Sequence, residues 1–318
     1  MGRVQDAMRR AAGQAVAEIA PEVTREPIPA AEPTQVDRRS EARADEETVA
    51  LAVPTASFDA DAMRSDVADA TGTNGNKPVL LKRFDAKLSS KMVIDQSMLA
   101  SSREQYRRLA AALHHAREAS GISVVMIASA VAGEGKSLTA SNLALTFSES
   151  YQRSVLLIDG DLRRPSLHSV FGLAVHKGLS EALQSIEEPE LDLIQMSDRL
   201  TILPGGRPNS DPMAGLVSGR MQRLITEARG LFEWVFIDTP PVGLLSDANL
   251  LAAMVDAAVL VIRADRTPYP LVQRAVEAIG RERILGSVLN QSTAQARGAY
   301  YEYYHYYQAP RGEPANGA

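Results

Sequence analysis

The stretch VVMIASAVAGEGKS, residues 124–137, places a run of apolar residues directly ahead of a glycine-rich segment that ends in lysine and serine. A short apolar run, then such a turn, then a helical pattern is the context of a phosphate-binding loop. Gly133 and Gly135 allow a tight turn that aims backbone amides at anionic oxygens. Lys136 is expected to reach the β- and γ-phosphates, and the Ser137 hydroxyl to bind magnesium. The candidate nucleotide-binding residues of the loop are Gly133, Glu134, Gly135, Lys136, Ser137 and Leu138.

Short apolar runs continue along the chain and alternate with helical stretches. Strands that are buried on both faces read as uninterrupted apolar runs, and their alternation with helices is typical of a parallel sheet covered by helices. The predicted fold class is therefore α/β, a doubly wound, mostly parallel sheet of the P-loop NTPase type. The runs are 124–129, 155–158, 200–203, 234–237, 257–262 and 284–289.

Carboxylates follow two of these runs. Asp159 and Asp161 come after the run 155–158, and Asp238 comes directly after the run 234–237. Ligands of open α/β sheets bind at the carboxyl ends of the strands, so these side chains should converge on the phosphate loop. Magnesium needs hard oxygen ligands at such a place. Each carboxylate taken alone is also explained by the capping of a turn.

Two further polar residues are candidates for nucleotide binding. Arg163 follows Asp159 and Asp161 in the same acidic stretch, and Asn290 follows the last apolar run. An amide offers both a donor and an acceptor, which suits the edge of a purine. A turn-forming asparagine explains Asn290 equally well on spacing alone.

The chain divides into segments of different composition. Residues 1–20 predict a short amphipathic helix, which either frays in solution or docks on a partner or a membrane surface. Residues 21–91, rich in proline and charge, are expected to be a disordered linker.

The P-loop domain is assigned to 92–296, and its first helix, from about Arg103 to Ala119, is expected to be capped by Ser101 or Ser102. Residues 297–318 form a flexible tail with six tyrosines in eight positions, namely Tyr300, Tyr301, Tyr303, Tyr304, Tyr306 and Tyr307.

The composition excludes several kinds of protein. With 34 basic and 39 acidic side chains the formal charge is -5, which gives no general attraction for nucleic acid, and we expect none as a partner. The absence of cysteine excludes a disulfide scaffold and a thiolate metal site, and the five histidines form no metal motif. No apolar stretch has the length of a membrane span and no secretory signal is visible, so the expected location is the cytoplasm.

Four features together resemble the bacterial tyrosine kinases of capsule and exopolysaccharide synthesis, specifically the cytoplasmic type whose membrane-spanning activator is a separate protein. They are the loop at 132–137, LLIDGDLRRP at 156–165, FIDTPP at 236–241 and the tyrosine cluster, and the resemblance covers about residues 92–307. It implies a protein-tyrosine autokinase that uses ATP and Mg²⁺. The implied catalytic residues are Lys136, Asp159, Asp161 and Asp238; among them Asp161 and Asp238, with Ser137, would bind the metal and Asp159 would be the base. The resemblance leaves open which of Asp159 and Asp161 takes which role.

The resemblance also implies partners. The tail tyrosines would be phosphorylated between neighbouring subunits of a homo-oligomeric ring, and a cognate tyrosine phosphatase would reverse the reaction. A membrane-spanning activator, a chain-length regulator of the polysaccharide co-polymerase type, would recruit the chain to the inner face of the plasma membrane. The family often carries Glu-x-x-Arg-x-x-Arg for ring packing. Glu104 and Arg107 match it, but Ala110 stands at the third position, where the nearby Arg108 is a candidate substitute.

Two other functions fit the same fold. A ParA/MinD-like ATPase that acts as a dimer switch usually carries a lysine early in the phosphate loop, and Val131 at that position argues against it. A nucleotide-binding regulatory scaffold without kinase activity is also compatible with the sequence. Ala130 replaces the first glycine of the common phosphate-loop pattern, a change that most turn geometries tolerate.

Overall fold

The computed structural model describes Phe84 and residues 87–174, 177–185, 191–242 and 246–292. The predicted helix at 1–20, most of the predicted linker and the tail 297–318 with its six candidate acceptor tyrosines lie outside the described residues. Within the described ranges, no helix has both the length and the apolar character needed to cross a bilayer.

Seven strands of the described residues form one sheet. They are β1 Val124–Ser129, β2 Val155–Asp159, β3 Ile194–Gln195, β4 Leu200–Leu203, β5 Trp234–Asp238, β6 Ala257–Arg263 and β7 Ile284–Asn290. Their order across the sheet is β3-β4-β2-β5-β1-β6-β7. Every pair is parallel except β3 with β4, which is antiparallel. The prediction of a mostly parallel α/β sheet is therefore confirmed.

Helices connect the strands and cover the sheet. They are α1 Ala100–Ser120, α2 Lys136–Leu145, α3 Leu167–Val170, α4 Leu179–Gln184, α5 Met213–Val217, α6 Arg220–Leu231, α7 Ser246–Ala252 and α8 Tyr269–Ile279. A π turn at Thr146–Ser150 continues α2, and 3-10 turns occupy Ser89–Lys91 and Arg281–Arg283.

The apolar runs are continuous because each central strand contributes to two hydrophobic cores. All six residues of β1 are buried. Val124 and Met126 pack into the core that holds residues of α6 to α8, whereas Val125 and Ile127 pack into the core that holds residues of α1 and α2. Alternating side chains must therefore be apolar on both faces, which is the pattern of a parallel strand between two helical layers.

The strands differ from the prediction mainly at their ends. All six predicted runs are strands, but β2, β5, β6 and β7 each include one further polar residue, respectively Asp159, Asp238, Arg263 and Asn290. The backbone of these residues stays in register with the neighbouring strand even though the side chain is not apolar. Strand β3 was not predicted, because two residues at a sheet edge carry too little pattern to detect.

The predicted cap of the first long helix is wrong. Helix α1 begins at Ala100 with Leu99 at its N-cap position, where no side chain makes a capping hydrogen bond, so Ser101 and Ser102 lie inside the first turn. The segment ahead of the helix is instead held by Arg103, which donates to the carbonyl oxygens of Val93 and Asp95. A tertiary contact thus replaces the local cap.

The chain ahead of α1 forms a strap, residues 87–98, that packs on the domain. The Asn142 side chain of α2 is fully buried and holds this strap at two points: Oδ1 accepts from the amide of Val93 at 2.8 Å, and Nδ2 donates to the carbonyl oxygen of Lys91 at 2.9 Å. The ring of Phe84 lies 5.3 Å from that of Phe171. Residues ahead of the predicted boundary at Met92 therefore also make contacts with the domain.

We expect Asn142→Ala to lower the free energy of unfolding by about 2 kcal/mol or more, because it leaves a main-chain donor and an acceptor unpaired under the strap. Urea unfolding followed by circular dichroism measures the change. Asn249→Ala, at an exposed position of α7, is the matched control and should change stability by less than about 0.5 kcal/mol. Equal stability of the two variants would contradict the assignment of Asn142 as the anchor of the strap.

Candidate functional site

Two buried aspartates face each other at the carboxyl ends of β2 and β5. Asp159 and Asp238 are register partners in this parallel pair, and both are fully buried. Each keeps one carboxylate oxygen without a hydrogen-bond partner, Oδ1 of Asp159 and Oδ2 of Asp238. Buried polar atoms are almost always paired, so unpaired oxygens on neighbouring carboxylates indicate a place for a cation.

Lys136 supplies a positive charge to this pair. Its Nζ donates to Oδ1 of Asp238 at 2.6 Å and to Oγ of Ser137 at 3.4 Å. The lysine side chain is 8% exposed, so little water screens its attraction to the carboxylate. The structure thus brings the predicted residues Lys136, Ser137, Asp159 and Asp238 to the same end of the sheet.

The two aspartates of the acidic stretch are both harder to ionise than usual. Burial, together with the charge of Asp238, raises the pKa of Asp159 to about 7, although the amides of Ser166 and Leu167 donate to its Oδ2. Burial also raises the pKa of Asp161, against the opposing charge of Lys136. A carboxyl group that titrates near neutral pH can take up and release a proton under physiological conditions, as a general base must.

The phosphate loop connects β1 to α2 as the sequence predicts. Gly133 and Gly135 both have positive φ, 82° and 93°, which favours glycine. A Cβ atom on Gly135 would lie 2.0 Å from Nδ2 of Asn290, so this position also has no room for a side chain. Gly135 is the N-cap of α2, and the first amides of a helix have no acceptor within it. Anionic oxygens are the natural partners of such amides.

The oxygen atoms at this end of the sheet suit Mg²⁺. Among the residues that the structure describes, no three His, Asp or Glu side chains enclose a metal position by themselves. Mg²⁺ usually takes one or two carboxylates and completes its shell with phosphate oxygens and water. Asp238 with its unpaired oxygen, Asp161 and the hydroxyl of Ser137 match that donor set.

Two residues near the site were missed by the sequence prediction. Ser166 donates from Oγ to Oγ of Ser137 at 2.8 Å, and its amide donates to Asp159, so it links the phosphate loop to the acidic stretch. Asp247 of α7 is buried and pairs with Arg163, with 2.5 Å between Oδ2 and Nε. The position of Ser166 directly after the acidic stretch was a usable signal; no sequence pattern announced Asp247.

Three further predicted nucleotide-binding side chains are also bonded to protein groups in this structure. Arg163 pairs with Asp247 and also donates to the carbonyl oxygen of Ser210. Nδ2 of Asn290 donates to the carbonyl oxygen of Glu134 at 2.8 Å, and its Oδ1 accepts from the next amide. The Glu134 carboxylate is buried against main-chain amides, and Leu138, in the first turn of α2, packs against the core that holds residues of α1 and α2.

A glycine-rich loop between a parallel strand and a helix, with acidic residues at the ends of neighbouring strands, defines the P-loop class of nucleotide-binding α/β proteins. No protein-family model matches the chain. The chain is 36% identical over 191 residues to the tyrosine-protein kinase YwqD of Bacillus subtilis (strain 168), which covers 59% of this chain and 80% of YwqD. The chain therefore belongs to the bacterial tyrosine-protein kinases.

Two further similarities agree with this family. The chain is 31% identical over 222 residues to the succinoglycan biosynthesis transport protein ExoP of Rhizobium meliloti (strain 1021), covering 67% of this chain and 28% of ExoP. The solved kinase domain of the Escherichia coli tyrosine kinase ETK superposes with a TM-score of 0.56 at 28% sequence identity, covering 61% of this chain and 78% of that domain.

The raised pKa of Asp159 predicts a specific dependence of stability on pH. An acid that titrates at about 7 when folded and at 3.8 when unfolded binds its proton more tightly in the folded state, so folding stability falls as the pH rises through this window. Asp159→Asn removes the titration. We expect the stability of the wild type relative to this variant to fall by at most about 1.4 kcal/mol per pH unit between the two values.

Urea unfolding of both proteins, measured with a metal chelator present at pH values about half a unit apart between pH 4 and pH 8, checks this dependence of stability on pH. The exposed Asp198 provides the matched control, since Asp198→Asn should follow the pH profile of the wild type. A constant difference between the wild type and Asp159→Asn across the range would show that the pKa of Asp159 is not raised.

Proposed function

We propose that the chain transfers the γ-phosphoryl group of ATP to tyrosine hydroxyls, and that its own tail tyrosines are the main acceptors. The observation that carries the proposal is the meeting of the phosphate loop with two buried carboxylates that each retain an unpaired oxygen. Phosphoryl transfer needs donors for the phosphate oxygens, a cation and a group that orients the acceptor hydroxyl. All three requirements fall on residues of this site.

The loop and the first turn of α2 would bind the triphosphate through their amides, with Lys136 placed to neutralise its charge. Ser137, Asp161 and Asp238 would hold Mg²⁺, which supplies charge neutralisation on the phosphate oxygens. Lys136 belongs to this loop and its Nζ donates to Asp238, so one ammonium group links the loop to the carboxylate at the end of β5.

Asp159 would accept the proton of the acceptor phenol. A free phenol has a pKa of about 10, so it needs a base as its oxygen bonds to phosphorus. Oδ1 of Asp159 is unpaired, and Oδ2 is held by two amides. The new bond joins the phenol oxygen to the γ-phosphorus while the bond from that phosphorus to the bridging oxygen breaks. ADP then leaves, and the phenol proton remains on Asp159.

The tyrosines of the described residues support the tail as the main acceptor. Burial raises the pKa of both Tyr106 and Tyr151, and the hydroxyl of Tyr151 donates to the carbonyl oxygen of Arg107. Among the described tyrosines, only Tyr269 is largely exposed, at 74%. The six tyrosines at 300–307 lie outside the described residues, and each phosphate added there would contribute roughly two negative charges.

We also infer that the chain works in a polysaccharide export system at the inner face of the plasma membrane. A membrane-spanning activator of the polysaccharide co-polymerase type would recruit it, neighbouring subunits would exchange tails, and a tyrosine phosphatase would remove the phosphates. Similarity to a succinoglycan biosynthesis transport protein supports the polysaccharide role. The amino-terminal segment 1–20 is the proposed docking helix for the partner.

The proposed ring packing rests on the exposed side of α1. Glu104 lies 3.8 Å from both Arg107 and Arg108, so these three charges form one cluster. Ala110, at the third position of the family pattern, is fully buried in the core. An interface between subunits would therefore use Glu104 with the two arginines, and not the position of Ala110.

Incubation of the purified full chain with ATP and Mg²⁺, followed by mass mapping, tests the kinase reaction. We expect Lys136→Met to abolish phosphotyrosine, because the loop loses the only charge that it contributes to the phosphates. Circular dichroism shows whether the variant is folded, since Asp238 loses its partner. Persistent phosphotyrosine in the variant would refute the site, and ATP hydrolysis without phosphotyrosine in the wild type would favour the dimer switch.

Replacement of the six tail tyrosines by phenylalanine tests the acceptor assignment. We expect the variant to bind ATP with unchanged affinity and to lose most of its self-phosphorylation, because the nucleotide site lies within the folded domain. Tyr269→Phe in an otherwise unchanged chain is the matched control and should keep the wild-type phosphate load. An unchanged load in the sixfold variant would exclude the tail as the main acceptor.

A further inference from the structure

Glu134 belongs to the phosphate loop, and its side chain is buried among protein hydrogen-bond donors. It is 1% exposed, and both of its carboxylate oxygens accept hydrogen bonds from the protein. Oε2 accepts from the amide of Val131, which also belongs to the loop, at 2.9 Å. Oε1 accepts from the amide of Arg263 at 3.1 Å and from the hydroxyl of Thr267. One carboxylate therefore joins the loop to the end of β6 and to the turn before α8.

The backbone of the same residue is also fixed from outside the loop. Nδ2 of Asn290, the last residue of β7, donates to the carbonyl oxygen of Glu134 at 2.8 Å. The carbonyl oxygen of Asn290 in turn accepts from the amide of Ala264 at 2.9 Å. The centre of the loop is thus attached to the ends of two neighbouring strands and to the connection 264–268 that follows β6.

The buried negative charge of Glu134 costs free energy at this position. A carboxylate close to a triphosphate repels it, and a buried charge needs several donors to offset the loss of water. Three donors serve Glu134, and two of them come from outside the loop. The carboxylate holds the Val131 amide in place, and this amide is then unable to turn towards a phosphate.

A glycine-rich loop gains affinity when its amides are already aimed before the ligand arrives. Gly133 and Gly135 give the loop its shape but also a large conformational freedom in the absence of other restraints. Binding then costs the entropy of ordering the loop, and restraints that are present beforehand remove that cost. The Glu134 side chain is one such restraint, because its carboxylate accepts from the amide of Arg263 at the end of β6.

We propose that Glu134 is a positioning residue, which fastens the phosphate loop to the β6–α8 turn through Arg263 and Thr267 and thereby sets the affinity for the triphosphate. This role rests on the proposed binding of ATP at the loop. The role differs from direct nucleotide contact, because both oxygens of the Glu134 carboxylate already accept hydrogen bonds from Val131, Arg263 and Thr267. Affinity for ATP consequently depends on the position of Thr267, which is outside the loop.

The test compares ATP binding by full-length variants, measured by titration with a fluorescent ATP analogue in the presence of Mg²⁺. Hydrogen bonds to a charged group correspond to roughly tenfold in an equilibrium constant, so we expect Glu134→Ala to weaken binding about tenfold or more. Thr267→Val removes one donor and should weaken binding less, and Thr267→Ser should restore it. Because both residues act through one contact, the double variant should bind no more weakly than Glu134→Ala alone.

Glu149→Ala is the matched control. The carboxylate of Glu149 also accepts from two hydroxyl groups, those of Ser148 and Ser197, but it lies in the π turn at the opposite end of the helix that starts at Lys136. The control should bind ATP as the wild type does. Hydrogen exchange gives a second readout: ATP should slow exchange of the segment 263–267 in the wild type and in the control, but not in Glu134→Ala.

The outcomes separate this proposal from the proposed function. Wild-type affinity in both Glu134→Ala and Thr267→Val overturns the positioning role and leaves the kinase reaction untouched. Protection by ATP that is confined to the loop in the wild type overturns the coupling to the turn. Failure of the wild type to bind ATP overturns both. If Glu134→Ala does not fold, Thr267→Val with its Thr267→Ser control decides the question.

Discussion

The parallel register of β2 and β5 is the constraint on which the site depends, since it places two aspartates opposite each other where water is absent. Lys136 balances one of these charges through its 2.6 Å contact with Asp238. The second charge is reduced by proton uptake, as the raised pKa of Asp159 indicates. Buried acidic pairs destabilise a fold unless cations or protons compensate their charge. The sheet therefore holds two carboxylates ready for a cation, and this arrangement lowers the stability of the fold.

Most of the fold could be predicted because burial on two faces leaves a strong trace in the sequence. Six mostly apolar runs such as 124–129 stand out in the sequence, and each is a strand of the sheet. Strand β3 could not be found, because two edge residues in an antiparallel pair carry no comparable pattern. The predicted start of α1 is wrong because no serine side chain caps the helix; Arg103 instead donates to carbonyl oxygens of the strap ahead of it.

The site could be predicted as a set of residues but not as a set of contacts. Topology alone brings the ends of parallel strands together, so Lys136, Asp159 and Asp238 were expected to meet. Which polar side chain pairs with another depends on rotamers and on distant helices, and the sequence does not encode these locally. The pairing of Arg163 with Asp247 and the bond from Asn290 to the main chain of the loop are two contacts of this kind, which the sequence alone does not predict. Their role towards a nucleotide stays a prediction.

The strap has a practical consequence for anyone who wishes to excise the catalytic core. A fragment that starts at Met92 would discard the Lys91 carbonyl that Asn142 binds, and with it the ring of Phe84 that packs on Phe171. The buried amide would then face an empty groove beside the helix that begins at Lys136. Recombinant truncations and fusion joints therefore belong upstream of Phe84, so that Asn142 keeps both of its main-chain partners and Phe171 keeps its ring contact.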